Sequence, residues 1–230
     1  MDTIIRTQNL ERTYHLAGED VHAVNKVSVS IAPGQMTVIA GPSGSGKTTF
    51  LNLVSGLDHP DAGEIWVDGA RIDQLDERTR RTFRREKIGF VFQSFGLLPL
   101  LSAMENVGIP LRMRYMPRQE RERRVIETLR WVGLADRAQH RSYELSGGEQ
   151  QRVAIARALA SEPRIIMADE PTGQLDSHTG QRIIDLLRRM VDERGVTALI
   201  VTHDAKVMRA ADVVHEMRDG CLIESPVNKM

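Results

Sequence analysis

Gly41-Pro42-Ser43-Gly44-Ser45-Gly46-Lys47-Thr48-Thr49 is the stretch on which the reading of this chain turns. It fits the spacing G-x-x-x-x-G-K-[ST], and the chemistry of that spacing can be taken residue by residue. Ahead of it, residues 35–40 (QMTVIA) form an apolar run suited to a buried strand. The glycines let the backbone turn sharply and bring its N–H groups close to a polyphosphate. Residues 48–53 (TTFLNL) read as the first turns of a helix whose N-terminal dipole points at the same anion. Lys47 adds a full positive charge at the outer phosphates, and the Thr48 hydroxyl is suited to ligate Mg2+. A strand before and a helix after are the context that separates this loop from a Gly/Ser turn preceding a lysine by chance. The loop alone names neither the nucleotide nor the work that its hydrolysis drives.

The 230 residues suit one α/β domain with room for an inserted subdomain. Hydrophobic residues make up 41% and charged residues 27%, enough apolar side chain for a real core. Lys+Arg and Asp+Glu are both 31, so no charge excess draws the chain to nucleic acid, and no nucleic-acid partner is expected. The single cysteine, Cys221, leaves no disulfide framework and no Cys-based metal site, which fits a reducing compartment. The first residues lack a basic stretch followed by an apolar one, and the longest apolar runs, such as residues 198–201 (ALIV), are strand-sized. If the protein works at a membrane, another chain supplies the spans.

Residues 4–10 and 24–31 alternate apolar and polar positions and predict antiparallel strands, with residues 14–20 between them as a loop. Tyr14 in that loop reads either as a half-buried strand-end residue or as an aromatic plate for a purine base. Residues 63–69 predict a strand and turn. Residues 76–87 predict a helix whose arginines at 78, 80, 81, 84 and 85 read first as a solvated face, with a partner-facing patch as the alternative. Residues 88–93 (IGFVFQ) form the next buried strand, and residues 94–101 are apolar enough for a contact surface. Ser102 and Glu105 have capping-box spacing at the start of a helix that Pro110 is expected to interrupt. Further helices are predicted over residues 117–132 and 179–193, strands over 164–168 and 197–201, and a closing hairpin over 213–223. No repeat or long linker divides the chain.

Three of the predicted buried strands end in polar groups: Gln93, Asp169-Glu170 and His203. In an open parallel sheet such ends share one ligand-binding edge. There Asp169 can accept hydrogen bonds from waters on Mg2+, and Glu170 can polarise an attacking water. His203 can contact the γ-phosphate, and Gln93 can reach the metal or the water. Each of these residues, taken singly, also has a purely structural reading. Leu145-Ser146-Gly147-Gly148-Glu149-Gln150-Gln151 opens a helix to about residue 160 and forms a second anion site at a helix N-terminus. One phosphate loop does not need two such sites in one pocket, whereas a head-to-tail dimer does.

With these residues assembled, the chain resembles the ATPase subunits of ATP-binding cassette transporters, in the family's motif order and over nearly the whole length. Gly41, Pro42, Ser43, Gly44, Ser45, Gly46, Lys47, Thr48 and Thr49 look like its Walker A, and Gln93 like its Q-loop glutamine. Residues 145–151 look like the signature motif, and residues 165–170 like Walker B with its catalytic glutamate. Leu175-Asp176 looks like the D-loop and His203 like the switch histidine, while Tyr14 falls where the family places its adenine-stacking aromatic. The implied fold is α/β: a P-loop NTPase core with a parallel sheet, an N-terminal antiparallel β subdomain and an inserted helical subdomain. As a single domain over residues 1–230, the β subdomain and core would occupy about 1–93 and 161–230, and the helical subdomain about 94–160.

The resemblance implies an ATP-driven dimer that uses Mg2+, held by Thr48 and Gln93 and through water by Asp169. Ser146, Gly147, Gly148 and Asp176 of one copy would face the nucleotide on the other copy's Lys47, and Glu170, His203 and Gln93 would carry hydrolysis. An integral membrane permease would dock in a groove near residues 93–101, placing the subunit in the cytoplasm on the inner face of the cell membrane. Residues 56–60 (GLDHP), 95–99 (FGLLP), 105–107 (ENV) and 170–176 (EPTGQLD) resemble the branch serving lipoprotein release, macrolide and peptide export and cell division. Gly96 and Gln174 depart from that branch, where asparagine is common. No C-terminal regulatory domain is expected. The rival functions are a mechanotransmitting cassette of a cell-division complex and a soluble ATPase of the same superfamily acting on nucleic acid or ribosomes. A small-molecule kinase or GTPase is a further rival, opposed by the signature motif and the adjacent Asp169-Glu170.

Overall fold

The structure, a computed structural model, describes residues 3–16 and 18–223. In chain order it contains β1 (Ile5–Leu16), β2 (Glu19–Ile31), β3 (Met36–Ala40), α1 (Lys47–Val54), β4 (Ala62–Val67), β5 (Ala70–Arg71), α2 (Glu77–Lys87) and β6 (Ile88–Val91). There follow α3 (Ala103–Met113), α4 (Arg118–Trp131), α5 (Gly147–Ala160), β7 (Ile165–Asp169), α6 (Ser177–Arg194), β8 (Thr197–Thr202), α7 (Ala205–Ala210), β9 (Val213–Arg218) and β10 (Cys221–Ile223).

Two sheets organise these elements. One is four-stranded, in the order β2-β1-β4-β5, with antiparallel pairs. The other is six-stranded, in the order β10-β9-β3-β8-β7-β6, parallel except for the β9–β10 hairpin. The central strands are buried on both faces, which is why they read as unbroken apolar runs rather than alternating ones. Successive residues still serve different layers. Ala198 and Ile200 face a core shared with α3, α5 and α6, while Leu199 and Val201 face a core shared with α1 and the antiparallel sheet. The apolar stripe of α6 (Ile183, Ile184, Leu187, Met190, Val191) closes the first of these layers.

Three expectations are corrected. Residues 14–20 are not a loop: Tyr14, His15 and Leu16 pair with Val21, Asp20 and Glu19, and Gly18 at φ 98° sits at the reversal. Both strand ends there lack the alternation that marks a half-buried strand, since most of their residues are exposed. Pro110 does not interrupt α3, which continues to Met113. Burial of Ala103, Asn106, Val107 and Leu111 on one helix face offsets the missing hydrogen bond, a loss of about 3 kcal/mol for an interior proline. The arginine run of α2 is not simply a solvated face. Arg80 is only 3% exposed, donating to Glu77 and meeting His59 Nδ1 at 2.8 Å, and Arg84 donates to the Gly56 carbonyl.

Candidate active site

The β3 run ends at Ala40, and the chain turns through residues 41–46 into α1. Gly46 is the N-cap of α1 at φ 99°, and a Cβ there would overlap the carbonyl oxygen of Ala23. Both facts restrict this position to glycine. The loop carries Ser45 N–H to Pro42 O at 3.3 Å, and Gly220 N–H donates to Ser45 O at 3.1 Å. Lys47 Nζ donates to the Gly41 and Pro42 carbonyls at 2.8 Å each, curling its charge over the loop. The Ser45 hydroxyl is buried and has no hydrogen-bond partner among the described residues. No acidic residue occupies the first turn of α1 and no side chain caps it, so its free N–H groups and positive dipole end face outward.

This terminus opens onto a cavity of about 750 Å³. Of the residues singled out from the sequence, Tyr14, Ser43, Gly44, Gly46, Lys47, Thr48, Thr49, Gln93, Asp169, Glu170 and His203 line it. The topology explains this convergence: β8 lies directly beside β3, with β7 and β6 beyond it, all parallel, so their C-terminal ends share one edge. Gly41 and Pro42 line an adjacent cleft with His203, and Ser45 lies beneath the loop.

Thr48 Oγ1 donates to Asp169 Oδ2 at 3.0 Å. Burial pushes the Asp169 carboxyl up, against the hydrogen bond from Thr48, with the Glu170 charge adding to the rise. Glu170 is held on both oxygens: Thr202 Oγ1 donates to Oε2 at 2.8 Å and His203 Nδ1 meets Oε1 at 2.8 Å. A carboxylate only accepts, so the proton of that imidazole contact is on Nδ1. Gln93 stands beside Gly173 on the same wall. Tyr14 donates its hydroxyl to Asp58 Oδ2 at 2.9 Å, and the Arg12 guanidinium covers its ring at 4.9 Å.

ATP and Mg2+ are the groups that this donor set must be tested against. The uncapped terminus, the Lys47 ammonium and the close-packed glycine backbone fit a polyphosphate. Carboxylates beside such an anion need a divalent cation between them. Among the described residues no cluster of three or more His, Cys, Asp or Glu could hold a metal alone. A hydroxyl and one carboxylate facing each other suit Mg2+, which takes its remaining ligands from phosphate and water.

Ser146, Gly147, Gly148 and Asp176 do not line the cavity. Ser146 caps α5 in a capping box: its N–H and hydroxyl donate to Glu149 Oε2 at 2.9 and 2.8 Å, and its Oγ accepts from Glu149 N–H at 3.4 Å. Asp176 caps α6, accepting from His178 and Thr179 N–H at 3.0 Å, and the Thr179 side-chain and backbone hydrogen bonds hold its carboxyl down at about 2.

The sequence reading missed part of the cavity wall, Glu19, Asp20, Val21, His22 and Ala23 of β2 and the Asp219-Gly220 turn, and also Thr202, buried beneath Glu170. The parallel pairing of β9 with β3 carries the Asp219-Gly220 turn to the phosphate loop, and β2 packs on that turn through Asn25 N–H to Gly220 O at 2.9 Å, so no local spacing marks these residues. A second groove, of about 420 Å³, runs between α2, β6 and α3. Phe90, Phe92, Ile109, Pro110 and Met113 give it an apolar lining, and Arg81, Arg84, Arg85 and Arg157 also line it. Of the apolar segment 94–101, Gly96 lines this groove, while Leu98 and Leu100 are exposed elsewhere.

The ABC transporter family profile matches residues 24–173. An ABC transporter ATP-binding protein of Methanocaldococcus jannaschii, MJ0796, is 46% identical over 221 residues, covering 94% of each chain. The lipoprotein-releasing system ATP-binding protein LolD of Paramagnetospirillum magneticum is 41% identical over 220 residues, covering 96% of this chain and 97% of LolD. A solved dimer of MJ0796 in a post-hydrolysis state bound to ADP and Pi superposes with a TM-score of 0.89 at 43% identity, covering 97% of this chain and 98% of that one. The fold, the cavity and these relatives agree: the chain belongs to the ABC transporter family as one of its ATP-binding cassettes.

Proposed function

We propose that this protein binds and hydrolyses ATP as one half of a homodimer that drives a separate membrane permease. The observation that carries the reading is the division of its anion sites. The Lys47 loop, Asp169, Glu170 and His203 share one cavity, whereas none of Ser146, Gly147, Gly148 and Asp176 lines it. A second copy placed head to tail brings those four residues over the nucleotide. Tyr14 stacks on the adenine with its Arg12-free face, the loop N–H groups and Lys47 hold the phosphates, and Gln93 reaches the metal or the attacking water. Thr48, Gln93 and, through water, Asp169 would hold Mg2+, which would supply charge neutralisation at the transferring phosphate. Glu170 accepts the proton of the attacking water once His203 turns from its carboxylate to the γ-phosphate.

The domain division follows the same reading, with the β subdomain and core over about 1–93 and 161–230 and the helical subdomain over about 94–160. The groove beside α2 and β6 seats a permease helix on its apolar lining, so closure of the dimer moves that helix. Among the described residues no helix is long and apolar enough to cross a membrane, which accords with a subunit attached to the cytoplasmic face through its permease. The lipoprotein-releasing LolD relatives make lipoprotein release the preferred work, with peptide export as the alternative.

The test is Glu170→Gln. Turnover is expected to fall by roughly a hundredfold or more while an ATP-bound dimer accumulates in size-exclusion chromatography. Retained turnover, or a variant that stays monomeric with ATP, overturns the reading.

A further inference from the structure

Glu170 needs more than its own backbone to place its carboxylate. It lies at φ 44°, a region uncommon for a side chain with a Cβ, and its N–H is tied to Val201 O at 2.9 Å. Two side chains finish the placement, and they differ in kind. His203 is 63% exposed, and the proposed mechanism takes it away to the phosphate. Thr202, the last residue of β8, is fully buried. Its hydroxyl accepts from Asp204 N–H at 3.0 Å, which leaves its single proton for Glu170 Oε2 at 2.8 Å. Thr172 Oγ1 donates separately to Asp204 Oδ2 at 3.0 Å, a hydrogen bond that does not involve Thr202.

We propose that Thr202 is a positioning residue for hydrolysis: its committed hydroxyl anchors one oxygen of Glu170, so that Oε1 is the oxygen left to take the proton of water when His203 withdraws. The inference rests on Glu170 being the base. Without the hydroxyl, the carboxylate would be held by His203 alone and would be free to rotate at the moment of reaction.

The experiment compares steady-state ATPase activity, ATP affinity and thermal melting of the full chain carrying Thr202→Val, Thr202→Ser, Thr172→Val or Glu170→Gln. Thr202→Val keeps the shape and loses the donor, so kcat is expected to fall roughly ten- to a hundredfold with KM for ATP within about twofold. Thr202→Ser restores the donor and is expected to recover kcat to within about threefold. Thr172→Val breaks a hydrogen bond in the same network without touching Glu170, so it is expected to lower the melting temperature and leave kcat near that of the parent. Normal kcat in Thr202→Val overturns the proposal, as does Thr202→Ser as slow as Thr202→Val, or a loss in Thr172→Val that matches Thr202→Val. An inactive Glu170→Gln alongside a fully active Thr202→Val removes the positioning role alone. An active Glu170→Gln removes the base assignment and the proposal with it.

Discussion

Two helix N-termini in this protein carry glycine, one at the cap and one in the first turn, and they are built in opposite ways. The first, at Lys47, has a left-handed glycine as its cap, no side-chain cap and no acidic residue in its first turn. The second, at Gly147, is capped by Ser146 and closed by the carboxylate of Glu149. The positive end of the first helix dipole is left for an outside anion; that of the second already faces an anion of its own chain. The first lies in a walled cavity with a buried lysine, whereas the second is on the surface. A helix terminus is a binding site only when the chain leaves it unsatisfied and surrounds it, and in this structure α5 meets neither condition.

The difference can be attacked from the lysine outward. Lys47→Ala removes the charge-assisted contacts of the first terminus, and ATP affinity is expected to fall about a hundredfold, close to 2.7 kcal/mol, by equilibrium nucleotide binding. Alanine at Ser146 should leave binding to the isolated subunit unchanged and reduce only ATP-dependent dimerisation. Equal losses from both variants would erase the contrast.

Glycine substitutions sharpen it on the backbone. Gly46→Ala combines φ 99° with overlap on the Ala23 carbonyl, so a stability loss of about 2 kcal/mol or more is expected in denaturant melts. At Gly147 a Cβ would make ordinary contacts with Leu175 Cδ2 at 3.4 Å and Phe95 Cζ at 3.8 Å, so Gly147→Ala should fold with stability within about 0.5 kcal/mol of the parent.

Smaller effects come from the capping carboxylates. Hydrogen bonds from Ser146, backbone first, hold the Glu149 carboxyl below its usual range. Glu149→Gln keeps acceptor geometry but removes the charge, costing the helix about 0.5 kcal/mol and tightening the ATP-dependent dimer about two- to threefold. No change in dimer affinity would show that the α5 terminus is not the trans anion seat. The smallest effect is the pH response of Asp176. Its folded-state carboxyl is held at about 2, below its unfolded value, so its contribution is present above the unfolded value and fades as pH falls towards 2. Acid titration of Asp176→Asn should lack that component.

The candidate site residues were legible because each sits in a local pattern. Residues 41–49 are contiguous, and Gln93, Asp169-Glu170 and His203 each end an apolar run. Thr202 sat next to His203 in plain view and still read as the end of a strand, because its partner Glu170 is 32 residues away. The buried Arg80 looked like its exposed neighbours because charge spacing on a helix does not say which turn a loop will cover. Tyr14 illustrates both sides. Its place near the nucleotide site came from resemblance, while its strand pairing and its tie to Asp58 lay beyond any local signal.

The sequence by itself determined the phosphate loop, the parallel core and the catalytic candidates. Steric and dipolar demands on Gly46, Lys47 and the buried strands act over a few residues and leave a mark at fixed spacing. Only the tertiary structure decided that β2 and the Asp219-Gly220 turn wall the cavity, that Thr202 holds Glu170, and that the α5 terminus stays outside that cavity. Those facts depend on which strands lie side by side, and the free energy that sets that order is spread over two cores rather than written in any one segment.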